Sequence, residues 1–113
     1  MTKASRSSNL AAQMCKEYAT GKGALAASEI SRLLKQVKGW KQSAGAISKS
    51  YAFEDFYETI AFVNAVAWIA NQQNHHPDLE VSYNKCVVKF STHSAGGLTK
   101  NDFICAARVN ALG

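Results

Sequence analysis

The sequence predicts an α+β domain with an antiparallel sheet. This prediction rests on the length of the chain and on two kinds of apolar pattern, one typical of helices and one typical of strands. The chain has 113 residues, of which 47% are hydrophobic, and a domain of this size builds a single core. Apolar residues recur with a helical period in three segments and alternate with polar residues in the segments between them. Helices interspersed with short strands and turns are typical of an α+β fold.

Residues 1–27 are predicted to form a flexible N-terminal tail in front of a domain at residues 28–113. The tail is rich in Ser, Ala, Lys and Gly and has little bulky apolar content. Its first sixteen residues contain Lys and Arg but no acidic residue, a pattern shared with organelle transit peptides. A disordered extension and an organelle-targeting segment are both compatible with this composition.

The first helix is predicted to begin at Ser28, whose side chain can cap it, and to end at Gly39. A β-hairpin follows, with strands at residues 40–43 and 46–53. Ala44-Gly45 is the turn between them, because two-residue hairpin loops favour glycine.

The second helix is predicted to run from Glu54 or Asp55 to about Gln73. Its apolar residues cover nearly the whole circumference, so it must be buried on more than one side. In a domain this small, a second subunit is the simplest source of the extra contact. The sequence therefore predicts self-association through this helix.

A turn at residues 74–78 follows, because its proline forces the preceding residue out of helical conformations. Residues 80–92 are then predicted to form one long strand, with a bulge or twist near Asn84 where the alternation changes phase. His93 at the end of this strand is expected to point away from the core face.

A short strand near Gly96-Gly97 and a last helix complete the predicted order. Residues 99–102 have the spacing of a capping box, so Asp102 is expected to cap this helix. A catalytic role for Asp102 is the less favoured interpretation. Cys86 and Cys105 fall among apolar residues and are predicted to be inert core thiols.

Charge and cysteine content exclude several classes of protein. The net charge is +5, of which residues 1–27 carry 4 − 1 = +3 and the rest of the chain 9 − 7 = +2. The domain therefore lacks the basic cluster that a nucleic-acid-binding surface needs. Three widely spaced cysteines form no disulfide framework, which predicts a reducing, cytoplasmic location. No apolar stretch reaches the ~20 residues of a membrane span.

All three histidines lie between residues 75 and 93, and no other part of the sequence concentrates titratable side chains in this way. His75 and His76 precede Pro77, and His93 follows the predicted strand. Imidazole titrates near pH ~6.5, so such a group can transfer protons at neutral pH. A plain surface turn and a three-histidine zinc site are the alternatives. Trp40 fits a core residue or a stacking platform for a flat ligand.

These residues resemble the pterin-4a-carbinolamine dehydratases over about residues 28–113. The matching positions keep fixed offsets from one another along the chain. They are Gly39-Trp40, residues 51–56, His75-His76-Pro77, Tyr83-Asn84, Ser91-Thr92-His93, Gly96-Gly97-Leu98-Thr99 and Asp102.

The resemblance implies a four-stranded antiparallel sheet with three helices packed on one face, assembled as a dimer or tetramer through strand edges and the long helix. It implies a hydro-lyase that dehydrates 4a-hydroxytetrahydrobiopterin to quinonoid dihydropterin and so recycles tetrahydrobiopterin. An aromatic amino-acid hydroxylase is the implied partner activity, and neither a metal nor a cofactor is implied.

By the same resemblance, His75 and His93 are an acid and base pair, in either order, and His76 binds and orients the pterin. Trp40 borders the ring. Asn71 stands where the family commonly has glutamate, and an amide cannot raise the pKa of a histidine as a carboxylate does. The remaining implied substrate-binding residues are Pro77, Thr92, Ser94, Ala95 and Asp102.

A protein-binding module is the second hypothesis. The animal members of this family also act as dimerisation partners of a transcription factor through the same long helix. Residues 56–69 are the corresponding segment here.

Overall fold

The computed structural model describes residues 9–113, which form one four-stranded antiparallel sheet and three helices. The sheet order is β1-β2-β4-β3. The helices are α1 (Ala27–Leu34), α2 (Phe56–Gln73) and α3 (Lys100–Asn110), and the strands are β1 (Lys41–Ser43), β2 (Ala46–Ala52), β3 (Asp78–Ser82) and β4 (Lys85–Phe90). The predicted fold class is thereby confirmed.

The core lies between the helices and one face of the sheet. Cys86, Val88 and Phe90 of β4 are completely buried, as their predicted alternation requires. Phe103 on α3 and Val66 on α2 are also completely buried and belong to the same cluster. This layered core fixes the end of β4 against the start of α3.

The β1–β2 hairpin and the start of α2 agree with their predictions. Ala44 and Gly45 both have positive φ, at 50° and 77°, as a two-residue hairpin turn requires. Asp55 caps α2 by accepting a hydrogen bond from the Glu58 N–H. The helix ends at Gln73, and Asn74 takes a left-handed conformation with φ of 51°.

The prediction of one long strand at residues 80–92 is wrong. The chain turns at Tyr83-Asn84, and β3 and β4 pair as a second hairpin with Ser82 opposite Lys85. The change of phase near Asn84 thus marks a two-residue turn and no bulge. The predicted strand near Gly96-Gly97 is also wrong, since a 3₁₀ turn at His93–Ala95 precedes these glycines.

The first helix begins earlier than predicted. Ala26 occupies the N-cap position without a side-chain hydrogen bond, and Ser28 lies inside α1, so the expected Ser28 cap is wrong. The helix ends at Leu34, and the chain reaches Gly39 through turns, with φ of 87° at this glycine.

From residue 9 onward, the predicted tail lies against the domain. Leu10, in a 3₁₀ turn at Asn9–Ala12, is only 2% exposed and joins the core. The Cys15 N–H donates to Gln73 Oε1 at 2.8 Å, and the Gln13 carbonyl accepts from Arg108 Nη2 at 2.6 Å. Side chains of the domain thus form hydrogen bonds with backbone groups of the N-terminal segment, and the composition of this segment does not predict these contacts.

The targeting role predicted for residues 1–27 stays a prediction, and residues 1–8 of that segment lie outside the described residues. Within residues 9–113, no helix combines the length and apolar character of a membrane-crossing segment.

Replacing Asn110 with Ala should destabilise the fold by about 2 kcal/mol. Its Oδ1 accepts hydrogen bonds from Trp40 Nε1, Lys49 Nζ and the Tyr51 hydroxyl at 2.9–3.0 Å. The variant removes the acceptor of the Trp40 and Tyr51 donors, whereas Lys49 Nζ keeps its hydrogen bond to the Lys38 carbonyl at 3.1 Å. Urea denaturation measures the loss. Ser31→Ala on the exposed side of α1 is the matched control and should stay within about 0.5 kcal/mol of wild type. Equal stability of both variants would contradict the assigned role of Asn110.

Candidate active site

His75 is held rigidly at the end of α2. Its backbone N–H donates to the Ala70 carbonyl at 3.1 Å, directly after the left-handed Asn74. The imidazole stacks on Phe90 with a centroid distance of 5.9 Å and an interplanar angle of 10°. The side chain is 12% exposed, so one edge of the ring reaches solvent while the rest is enclosed.

A buried carboxylate lies against this imidazole. His75 Nε2 is 2.6 Å from Asp102 Oδ1, and the Asp102 side chain is completely buried. Asp102 is the third residue of α3 and completes the capping box with Thr99, as predicted. The same carboxylate therefore caps a helix and binds a histidine, and the two interpretations of Asp102 are compatible.

Two threonines complete the hydrogen bonds of Asp102. Its Oδ2 accepts from the Thr99 N–H at 3.0 Å and from the Thr92 hydroxyl at 2.8 Å. Thr92 thereby uses its one proton, so the Thr99 hydroxyl donates to Thr92 at 2.9 Å. Because an ionised carboxylate only accepts hydrogen bonds, His75 Nε2 carries a proton toward Asp102.

This arrangement changes the acidity of His75. Burial on its own lowers the pKa of the imidazole, but the hydrogen bond to Asp102 and the negative charge of that carboxylate outweigh burial, and the pKa of His75 is raised. Asp102 thus supplies the carboxylate that the sequence lacks at Asn71. His75 is suited to donate a proton near neutral pH.

His75 opens onto a cavity of about 310 Å³ whose walls come from both ends of the chain. The N-terminal segment forms one wall, at residues 15–18, and Asn101 lies against this wall through its hydrogen bonds to Lys16. The remaining lining residues are Gln73, Asn74, Thr92 and Ser94.

His93 lines a second cavity, of about 330 Å³, on the other side of Thr92. Its Nε2 is 3.3 Å from the Ser91 hydroxyl, and the side chain is exposed. Thr92 belongs to both cavities. His75 and His93 thus line two neighbouring cavities that share Thr92, whereas His76 is exposed and lines neither.

The other predicted site residues divide into two groups. Ser94 lines the His75 cavity, and its carbonyl accepts from the Gly21 N–H at 2.7 Å. Trp40 is only 4% exposed and donates its indole N–H to Asn110, so it is a core residue here. The residues that line neither cavity are Trp40, Asn71, Pro77, Ala95 and the buried Asp102.

No sequence pattern predicts the residues that the N-terminal segment adds to the site. Cys15 lines the His75 cavity and lies 3.6 Å, sulfur to sulfur, from Cys105. The Asn101 side chain makes two hydrogen bonds with the backbone of Lys16. Its Oδ1 accepts from the Lys16 N–H at 3.1 Å, and its Nδ2 donates to the Lys16 carbonyl at 2.7 Å. These contacts join residues more than 80 positions apart, and no local pattern encodes them. Within residues 9–113, no three His, Cys, Asp or Glu side chains are grouped as metal ligands.

The fold and this site define the class: a small α+β protein with a buried carboxylate–histidine pair at the end of its long helix. Residues 23–112 match the family described as pterin 4 alpha carbinolamine dehydratase. The chain belongs to this family, as the sequence motifs predicted.

Known proteins similar to this chain cover nearly all of it. A relative from Nitrosospira multiformis, provisionally named a pterin-4-alpha-carbinolamine dehydratase, is 46% identical over 104 residues, which is 92% of each chain. A crystal structure of a transcriptional coactivator/pterin dehydratase from Brucella melitensis superposes with a TM-score of 0.75 at 33% identity, over 79% of this chain and 97% of that one.

A second solved structure is more distant. It is a pterin dehydratase-like protein identified as a RuBisCO assembly factor in the alpha-carboxysome, with a TM-score of 0.56 and 25% identity. The match covers 66% of this chain and 88% of that one. Proteins with this fold are thus described as a pterin dehydratase, as a transcriptional coactivator and as a RuBisCO assembly factor.

Replacing Asp102 with Asn should change how stability depends on pH. Because the pKa of His75 is raised by folding, the stabilisation from the pair is fully present below the unfolded value of about 6.5 and is lost as pH rises through the folded pKa. The free energy of unfolding of the wild type should therefore decline over this range. The Asp102→Asn variant should not show this decline, and its free energy of unfolding at pH 6 should be about 3 kcal/mol below that of the wild type.

Urea denaturation at a series of pH values measures both effects. His93→Gln is the matched control, since His93 is exposed and does not touch Asp102 in the described structure, and it should keep the decline. An Asp102→Asn protein with the wild-type pH dependence would show that the carboxylate does not control His75.

Proposed function

We propose that this protein is a hydro-lyase that dehydrates 4a-hydroxytetrahydrobiopterin to quinonoid dihydropterin, and so serves tetrahydrobiopterin recycling after aromatic amino-acid hydroxylation. The observation that carries the proposal is the His75–Asp102 pair, at 2.6 Å, at the mouth of a cavity in a chain of this family. The reaction takes place in the cytoplasm, where the three free thiols stay reduced.

The reaction needs one acid and one base. Breaking the C4a–O bond leaves both electrons on oxygen, which takes a proton and departs as water. The adjacent ring nitrogen loses its proton, and its electron pair forms the new C=N bond. Two imidazoles can perform these transfers without any other reagent.

We assign the acid to His75 and the base to His93. The raised pKa of His75 favours the protonated imidazole, which the acid step requires. His93 is exposed and lies across Thr92 from His75. A flat pterin that spans the two cavities at Thr92 would have one imidazole on each side.

The adjacent residues bind and orient the ring. Exposed His76 follows His75 directly and is placed to contact the substrate edge. Ser94 and Thr92 add polar groups from the segment between the two cavities. The roles of Asn71, Pro77 and Ala95 in binding stay predictions from the family resemblance, and Trp40 acts through Phe90, with their ring centroids 5.9 Å apart.

The exposed side of α2 supports self-association. Tyr57 is 88% exposed and Trp68 62% exposed, and both are large apolar side chains that rarely stay uncovered on a monomer. β1 and β3 are the two edges of the sheet and offer unpaired backbone groups. A homodimer or tetramer built through these edges and α2 would bury both features.

A protein-binding function is the second candidate, and the same exposed side of α2 favours it. The similar structure from Brucella melitensis is described as a transcriptional coactivator as well as a pterin dehydratase. A transcription factor that contacts Phe56, Tyr57 and Trp68 would use a surface remote from the two histidine cavities.

The His75→Ala and His93→Ala variants separate the two functions. Each should lower the rate of carbinolamine dehydration by about 100-fold or more, because each removes one proton-transfer group. Self-association and partner binding through α2 should persist in both variants. The measurement is the spectroscopic decay of the carbinolamine, with and without a chelator.

Ser31→Ala is the matched control and should retain wild-type turnover, since this exposed α1 residue lines neither histidine cavity. Wild-type rates in both histidine variants would refute the dehydratase mechanism. Turnover that stops in the presence of the chelator would refute proton transfer by imidazoles alone.

A further inference from the structure

Cys15 and Cys105 lie side by side next to the candidate active site, and the proposed reaction uses neither of them. Their sulfur atoms are 3.6 Å apart although the residues are 90 positions apart in sequence. Both thiols are free. Cys105 is completely buried in α3, whereas Cys15 is partly exposed and lines the His75 cavity. A small molecule in that cavity can therefore reach Cys15 but not Cys105.

The geometry suits a disulfide between these two residues. A disulfide has a sulfur–sulfur distance of about 2.05 Å, so the sulfurs must approach by about 1.5 Å. Cys15 lies in an irregular segment between the Asn9–Ala12 turn and α1, where the backbone can adjust more easily than in a helix. Cys86, in the centre of the sheet, is completely buried and has no sulfur neighbour among the described residues.

The two thiols differ in acidity in the way that a reactive pair requires. The hydrogen bond from Cys105 lowers the pKa of Cys15 and, with the positive charges of His75 and Arg108, outweighs the opposing effect of burial. The same hydrogen bond, followed by burial, raises the pKa of Cys105. Cys15 therefore has the greater thiolate character, and thiolates are the nucleophiles in thiol oxidation.

We propose that Cys15 and Cys105 form a peroxide-sensitive dithiol that closes to a disulfide beside the His75 cavity. The Cys15 thiolate attacks one oxygen of hydrogen peroxide, the O–O bond breaks, and the departing hydroxide takes up a proton as water. Cys15 is then a sulfenic acid. The Cys105 sulfur attacks the Cys15 sulfur, the S–S bond forms, and the hydroxide leaves with the Cys105 proton as a second water.

The electron balance closes with one peroxide reduced and two thiols oxidised. A dithiol reductant reverses the bond by thiol–disulfide exchange. The disulfide joins the N-terminal segment to α3 three positions after Asp102. Because residues 15–18 line the His75 cavity, oxidation fixes one wall of that cavity in place. This oxidation involves only the two thiols and does not require the proposed dehydratase activity.

Peptide mapping of the full-length protein tests the proposal directly. The protein is treated with a small excess of hydrogen peroxide, and the remaining thiols are then alkylated. Two of the three cysteines should no longer react with the alkylating reagent. Trypsin places Cys15 in peptide 7–16, Cys86 in peptide 86–89 and Cys105 in peptide 101–108. We expect one cross-linked species that joins peptides 7–16 and 101–108, and its loss on treatment with dithiothreitol.

Two variants sharpen this experiment. In Cys105→Ser the reaction should stop at the Cys15 sulfenic acid, which dimedone traps, and no intramolecular cross-link should form. Cys86→Ala is the matched control and should give the wild-type cross-link. Oxidation of wild-type Cys15 to sulfinic acid without a cross-link, or a bond between Cys15 residues of two chains, would overturn the proposal. The wild-type map decides the question even if a variant fails to fold.

Discussion

The buried carboxylate of Asp102 is the constraint on which the rest of the site depends. An ionised group without solvent is costly unless hydrogen bonds and an opposite charge compensate for it. Here the compensation comes from three parts of the fold: the first turn of α3 through Thr99, the end of the sheet through Thr92, and the end of α2 through His75. One side chain thus holds together the elements that surround the cavity.

The hydrogen bonds of Asp102 therefore affect both the stability of the fold and the acidity of His75. The hydrogen bonds that compensate Asp102 also fix the tautomer and orientation of the His75 ring, and the charge of the carboxylate keeps that ring protonated to higher pH. Phe90 holds the imidazole from its flat side and belongs to the core, so packing of the sheet reaches the site directly. The proposed dehydration needs only proton transfer, with His75 as the proposed acid and His93 as the proposed base.

Much of the fold could be predicted because local residue chemistry determines it. The Ala44-Gly45 turn and the caps at Asp55 and Thr99 each define an element within a few residues. The β3–β4 turn escaped prediction, since Tyr83-Asn84 lacks glycine and reads as part of a continuous strand. The packing of Cys15 against α3 rests on contacts between distant residues, which periodicity does not record. Family motifs supplied the histidines, and only the structure showed that His75 and His93 line neighbouring cavities that share Thr92.

The ¹⁵N spectrum of the His75 imidazole, recorded as pH is raised, tests the central claim most directly. The hydrogen bond to Asp102 requires that Nε2 keep its proton after the ring becomes neutral, so Nδ1 should be the nitrogen that deprotonates. His93, which touches no carboxylate in the described structure, provides an internal reference for an exposed ring. A His75 ring that loses the Nε2 proton first, or whose pKa lies below the ordinary imidazole value of about 6.5, would contradict the account.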